Sequence, residues 1–250
     1  GADRPTVPSP AEFALLAGAL FVASAVNALV GFGFALTSVP LMALAVGPRD
    51  AVVLSALMGM LSSGGVALRH HEEVARPIGA RLVAGSLVGM PIGLVVLVAV
   101  PERWIGIGIG VVVLGAVVLL AGGWEVERVP AWADLVAGLV SGVLNTSVGV
   151  GGPPVVTALQ GHGLDKARFR ATTTAVFAPG GLVSLVLFAL SGQIERSVMA
   201  VAVLALPAWP AGWWVGDRLH HRFPEERFRT LVLVMLAATA VLSLLSAVRG

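Results

Sequence analysis

Eight stretches of this chain contain no Asp, Glu, Lys or Arg: residues 13–48, 51–68, 82–101, 104–124, 135–164, 171–194, 197–216 and 230–248. A helix needs roughly 17–25 apolar residues to cross the hydrocarbon core of a bilayer, so each stretch is long enough to span. With 57% of the 250 residues hydrophobic and 12% charged, a water-soluble fold would have no interior large enough to hide the apolar surface. The chain therefore reads as an all-α polytopic membrane protein. The strands of a transmembrane β-barrel would alternate apolar and polar residues over about 10 positions, and none of the stretches alternates. The 31 glycines suit helices that approach closely in lipid.

Charge and cysteine content narrow the function classes. The net charge of +2 comes from arginines in short connections, which speak for membrane orientation and not for a nucleic-acid partner. There is no cysteine, hence no disulfide framework, thiolate catalyst or thiolate metal site. His70 and His71 beside Glu72 and Glu73, and His220 with His221, fall in arginine-rich connections and read as solvated loops, so no metal or cofactor is expected. The opening GADRPTVPSP is polar and lacks the pattern of a signal peptide.

The chain repeats itself. At an offset of about 118, Asn27 falls on Asn145, Val30 on Val148, Gly31 on Gly149, Gly33 on Gly151 and Leu41 on Leu159. With small drifts, Ala51 falls on Ala167, Gly64–Gly65 on Gly180–Gly181, Pro91 on Pro210 and Gly93 on Gly212. The expected organisation is a polar segment (1–10), a first membrane repeat (11–122), a cytoplasmic linker (123–131) and a second repeat (132–250), all in one transmembrane domain.

Stretches 13–48 and 135–164 exceed one straight crossing, and each is interrupted: by Gly31-Phe32-Gly33 in the first, by Gly149 to Pro154 in the second. Gly and Pro unwind helix backbone, so each reads as a helix, a break and a shorter returning helix, over 11–30 with 34–46 and 132–147 with 155–160. Three ordinary spans follow in each half: 51–68, 79–100 and 103–122, then 167–191, 196–216 and 227–248, eight hydrophobic segments in all. Lys and Arg gather on the cytoplasmic side. Connections 69–81, 161–170 and 217–229 carry three, three and four of them, whereas 47–50, 101–103 and 192–196 carry one each. Matching connections thus face opposite sides, which predicts inverted repeats with both termini outside. Inverted repeats supply two related conformations, the basis of alternating access.

Non-helical backbone at membrane depth must be covered by protein or line a water-filled cavity, so both breaks belong at the centre. A helix starting after a break turns free N–H groups and a positive dipole end toward a guest, and that suits an anion. The expected binding residues are Asn27, Gly31, Phe32, Gly33, Phe34 and Ser38 in the first half, with Asn145, Thr146, Ser147, Gly149, Gly151 and Gly152 in the second. The alternative for Asn, Ser and Thr is that they satisfy broken backbone or hold helices together. No acidic residue lies deep in a span; Glu12, Asp134 and Asp217 sit near the ends of stretches. Trp104, Trp124, Trp132, Trp213 and Trp214 fall at stretch ends, as interfacial aromatics do, and Trp209 lies deeper. Gly31-Phe-Gly33 and Gly149-Val-Gly-Gly152 lack the context of nucleotide loops.

The paired elements Asn27-Ala-Leu-Val-Gly-Phe-Gly-Phe34 and Asn145-Thr-Ser-Val-Gly-Val-Gly-Gly-Pro-Pro154 resemble those of the sulfite exporter TauE/SafE family, over residues 11–248. The resemblance implies an eight-segment permease that exports or takes up sulfite, sulfoacetate or related organosulfonates. Phe32 and Phe34 put aromatic bulk where the family's first break is richer in glycine, which favours an organic substituent on the anion. The reading is a secondary transporter in a prokaryotic inner membrane, selecting by helix ends and neutral donors in place of a buried Arg. Its partners are a small anionic substrate and the lipid bilayer, with a homo-oligomer left open. The alternatives are an anion channel and a membrane enzyme of sulfur or lipid metabolism, though the spans hold no buried His/Asp/Glu cluster or Ser dyad.

Overall fold

A computed structural model describes residues 10–30, 33–69, 71–122, 130–194, 196–220, 234–242 and 244–245. The polar residues 1–9, Gly31, Phe32, His70, the linker 123–129 and residues 221–233 lie outside the described residues. Every regular element described is a helix. The first break separates α1 (Pro10–Val30) from α2 (Phe34–Val46). Next come α3 (Pro48–Arg69), a 3-10 turn (His71–Glu73), α4 (Arg76–Ala99) and α5 (Glu102–Gly122). The second break separates α6 (Ala131–Ser147) from α7 (Gly152–Gln160), followed by α8 (Lys166–Leu190), α9 (Arg196–Ala205) and α10 (Ala208–His220). Residues 234–242 are again helical.

The exterior is apolar, as a lipid-facing surface requires: Val88, Val95, Val118 and Leu190 are all more than half exposed. Among the described residues three helices are long and apolar enough to cross a membrane: Arg76–Ala99, Glu102–Leu119 and Ala167–Leu190. Trp104, Trp132 and Trp214 are largely exposed too, with Arg218 stacked 3.5 Å over the Trp214 ring.

Lipid gives helices little hydrophobic reason to associate, so they hold together by close packing of small residues and by interhelical hydrogen bonds. Both devices join α4 to α6. A Cβ on Gly85, Gly89 or Gly93 of α4 would overlap the carbonyl oxygens of Leu135, Leu139 and Val143 respectively. Reciprocally, a Cβ on Gly138 or Gly142 of α6 would overlap the carbonyls of Leu82 and Ser86. The Thr146 hydroxyl closes the seam by donating to the Met90 carbonyl at 2.7 Å. A second seam joins α10 to α1, where Gly212 and Gly216 lie against the backbone of Phe21 and Ala25.

The expected single span 196–216 is two helices, for a reason carried by its prolines. The carbonyls of Val203 and Leu206 would normally accept from residues 207 and 210, but both are proline and have no N–H. Val203 accepts instead from the Leu206 N–H at 3.3 Å, and Leu206 from the Trp209 N–H at 3.2 Å, which tightens the chain into a turn between α9 and α10. Ser24 of α1 braces the turn by donating to the Trp209 carbonyl at 2.7 Å. Pro91, by contrast, is accommodated inside an uninterrupted α4. The connections also differ in length from expectation. Arg76 and Arg81 belong to α4, and α10 runs on to His220, so neither 69–81 nor 217–229 is wholly a loop.

These contacts make the α4–α6 seam the test of packing. Gly142→Leu should cost about 3 kcal/mol or more, because the obstruction is rigid backbone. Thr146→Val should cost about 1 kcal/mol by deleting one interhelical hydrogen bond. Gly115→Ala, with nothing within 4 Å of its added Cβ, should be neutral. Thermal unfolding of the detergent-solubilised variants orders the three; equal melting temperatures would contradict the seam.

Candidate functional site

The two breaks meet at one partly open cavity of about 100 Å³. From the first half it is lined by Asn27 of α1, by Gly33, and by Phe34, Ala35 and Leu36 of the first turn of α2. From the second half come Asn145 of α6, Gly149 and Gly151 of the break, and Gly152 at the start of α7. Ser55, Ala56, Gly59 and Met60 of α3, then Arg170, Thr174, Phe177 and Gly181 of α8, form two facing walls, and Trp213 of α10 completes the lining.

The backbone of each break follows from its glycines. Gly33 ends the first break at φ 97, a left-handed conformation that most residues avoid, and α2 starts directly after it with no side-chain cap. The first amides of a helix have no acceptor within it. Phe34, Ala35 and Leu36, which supply the first three amides of α2, all line the cavity, while the Thr37 N–H returns to the Gly33 carbonyl at 3.1 Å. Gly149, at φ 74, turns the chain out of α6; a Cβ there would also press on Val39 at 2.9 Å. Gly151 is held by Ser141, whose hydroxyl donates to its carbonyl at 2.6 Å. At α7 the prolines 153 and 154 have no N–H, so this helix start offers only the amides of Gly151 and Gly152.

Side chains add directed donors and one charge. Asn145 donates through Nδ2 to the Ser184 hydroxyl at 2.9 Å, which fixes the amide plane and leaves its second N–H for a guest. The Ser55 hydroxyl is 3.3 Å from that of Ser38, so Ser38 stands behind the wall and orients the serine that lines it. Thr174 lies one turn beyond Arg170 on α8, its hydroxyl donating to the Arg170 carbonyl at 2.9 Å. Among the described residues, Arg170 is the single charged side chain in the lining.

Of the residues expected to bind, Asn27, Gly33, Phe34, Asn145, Gly149, Gly151 and Gly152 thus share one cavity. Gly31 and Phe32 lie outside the described residues. Thr146 and Ser147 are not in the lining, because each hydroxyl is committed to main chain: Thr146 to Met90 and Gly142, Ser147 to the Val143 carbonyl at 2.6 Å. The lining residues of α3, α8 and α10 escape a reading of the sequence. Arg170 looks like one more cation of a basic connection, yet it is the fifth residue of α8. Trp213 looks interfacial but turns a face to the cavity, and Phe177 is one apolar residue among many in its stretch. Helical periodicity offered the only signal: residues 170, 174, 177 and 181 recur at spacings of four and three, along one face of α8.

Asp134 is a further departure. It stands near the end of its stretch, as expected, yet it is fully buried and bonded to Arg81 and His162.

Comparison with known proteins points to a membrane transporter. The family profile of the sulfite exporter TauE/SafE matches residues 16–243. The chain is also 27% identical over 193 residues, covering 76% of it and 79% of the relative, to the probable inner membrane transporter protein TsaS of Comamonas testosteroni. No solved structure matches. By the extent of the profile match, the chain belongs to the sulfite exporter TauE/SafE family, whose members are membrane transporters and not enzymes.

Proposed function

We propose that this protein is a secondary transporter of the inner membrane that carries sulfite or a small organosulfonate such as sulfoacetate by alternating access around the central cavity. The observation that carries the proposal is the convergence of both helix breaks, with the starts of α2 and α7 and Arg170, on one cavity. Amides at helix starts suit an oxyanion, since they present positive ends without a proton to lose. Arg170 contributes the opposite charge and a planar fork of donors that matches two sulfonate oxygens. Phe34, Met60, Phe177 and Trp213 supply apolar wall for a carbon substituent.

The inverted-repeat organisation is part of the same reading, and the helix packing supports it. Under the sequence offset α1 corresponds to α6, α3 to α8, and α4 to α9 with α10. The seams then form an equivalent pair, α4 on α6 and α10 on α1, with the corresponding Gly93 and Gly212 each lying against a main-chain carbonyl. The contact of α3 with α8 joins equivalent helices across the axis. In this arrangement both termini are outside, and the connections 69–81 and 161–170 are cytoplasmic along with the cavity mouth at Arg170.

Two measurements test the proposal. In a thermal-shift panel of sulfite, sulfoacetate, taurine, thiosulfate and sulfate, Asn145→Ala should weaken binding of the preferred anion about tenfold. Arg170→Gln should weaken it roughly ten- to hundredfold, since a charge-assisted contact is lost. Reconstituted in vesicles, the protein should exchange labelled for trapped unlabelled anion and saturate. Non-saturating flux without exchange would mean a channel, and unchanged affinity in both variants would remove the cavity from the mechanism.

A further inference from the structure

Away from the cavity, at the outer end of the α6–α7 hairpin, Asp134 has no exposed surface at all. One of its oxygens, Oδ2, accepts from Arg81 Nε at 2.9 Å and is ion-paired with Nη2 at 2.8 Å, and the other, Oδ1, lies 2.8 Å from His162 Nε2. The cluster ties three elements together: α4 through Arg81, α6 through Asp134 and the connection after α7 through His162. The Arg81 side chain is 30% exposed and that of His162 17%, whereas the Asp134 carboxylate is enclosed.

We propose that this cluster is the proton site of the transporter, and that a proton taken up on His162 travels in the same direction as the anion; the proposal rests on the transport reading above. A neutral imidazole donates Nε2–H to Asp134, which leaves Nδ1 as the acceptor. When Nδ1 takes a proton the His162–Asp134 contact becomes an ion pair without any rearrangement, and the cluster passes from neutral to a net charge of +1. Imidazole is the side chain whose charge changes near neutral pH, and ionisable groups buried in membrane proteins are the usual proton carriers. The added charge appears on the hairpin whose inner tip carries Asn145 and Gly152, and on the same face as Arg170. Proton and anion therefore favour each other's binding, the condition for their joint movement.

Packing alone does not call for such a cluster. At the offset that relates the halves, the place of Asp134 is taken by Leu16, that of His162 by Leu44 and that of Arg81 by Ala200, and Leu16 is fully packed as a hydrocarbon. A well-packed apolar residue at a buried position is usually at least as stable as an ion cluster there. The other charged or titratable groups on neighbouring elements are His71, Glu72 and Glu73 of the 3-10 turn, Arg76 of α4, and Asp165, Lys166, Arg168 and Arg170 at the start of α8. Asp165 is occupied in capping the Arg168 N–H at 2.9 Å. Among the described residues, Asp134 bonds to no side chain other than Arg81 and His162.

Because Asp134→Asn would strip Arg81 of its countercharge and endanger the fold, the informative variant is His162→Gln, whose amide can still donate to Asp134 but takes no proton. Vesicles are loaded with the protein and assayed with labelled sulfoacetate, in exchange mode and under a pH gradient with the outside more acidic. Wild type should exchange and should also accumulate sulfoacetate under the gradient. His162→Gln should keep exchange and lose accumulation to the level of protein-free vesicles, and its sulfoacetate affinity should no longer rise as pH falls. A purely structural role for His162 predicts instead that exchange and accumulation fall together, with pH dependence retained, and that result overturns the proposal. Equal accumulation in variant and wild type, or exchange in wild type with no response to the gradient, overturns it while leaving the transport reading intact. Absence of exchange in wild type with both sulfite and sulfoacetate overturns the two together.

Discussion

A peptide group in hydrocarbon has no water to bond, and that single constraint decides where this chain can be irregular. Its two breaks combine glycine, proline and uncommitted amides, which neither lipid nor a dry helix interface would tolerate. They are admissible only facing each other across a polar cavity. The seams that press α4 on α6 and α10 on α1 serve this requirement. By bringing backbones into contact through Gly85, Gly89, Gly93, Gly138 and Gly142, they bury the outer helices of each break firmly enough to hold the broken ends at the centre. The site is thus a consequence of the packing, in that the same glycine content that removes side chains from the seams leaves main chain as the principal material for binding.

The two halves do not contribute alike. The α2 start has three amides and an aromatic residue, Phe34, as its first position, whereas the α7 start has two prolines and two amides beside the fixed Asn145. One side of the cavity is therefore richer in donors with an apolar neighbour, and the other is stiffer and stripped to glycine backbone. Such a pair would suit the proposed organosulfonate, a guest with two unlike ends. The phenyl, thioether and indole groups of Phe177, Met60 and Trp213 extend the apolar part of the lining.

Much of the fold is legible from residues in a row. Breaks announce themselves because Gly31-Phe-Gly33 and Gly149 to Pro154 interrupt stretches otherwise fit for helix, and α1, α2 and α6 end within a residue or so of where their glycines and prolines indicate. What resisted reading depends on partners distant in sequence. Asp134 is indistinguishable from a solvated helix-start carboxylate until Arg81 and His162 close over it. Thr146 and Ser147 sit next to Asn145 in sequence, but a helix turns successive residues through about 100°, which sends them into main-chain contacts while Asn145 faces the cavity. The division at Leu206 and Pro207 was in principle readable, since two prolines three apart deprive two carbonyls of donors. Hydropathy, which ignores hydrogen bonding, joined the two helices into one span.

The position of Arg170 bears on turnover as well as affinity. An arginine enclosed at mid-depth would pay a large desolvation penalty when empty and would bind an anion too tightly to release it, since removing one partner from a buried ion pair is strongly unfavourable. Arg170 is instead exposed, near the start of α8, where water can replace the anion as its partner. In the proposed transporter it would supply the charge that attracts an anion, while the amides and hydroxyls of the lining would bind without a formal charge. A carrier needs contacts strong enough to admit its guest and weak enough to let it leave. Dividing the work between one hydrated cation and several neutral donors would meet both demands in the proposed transporter, because water can replace the anion at the exposed guanidinium as the neutral contacts break.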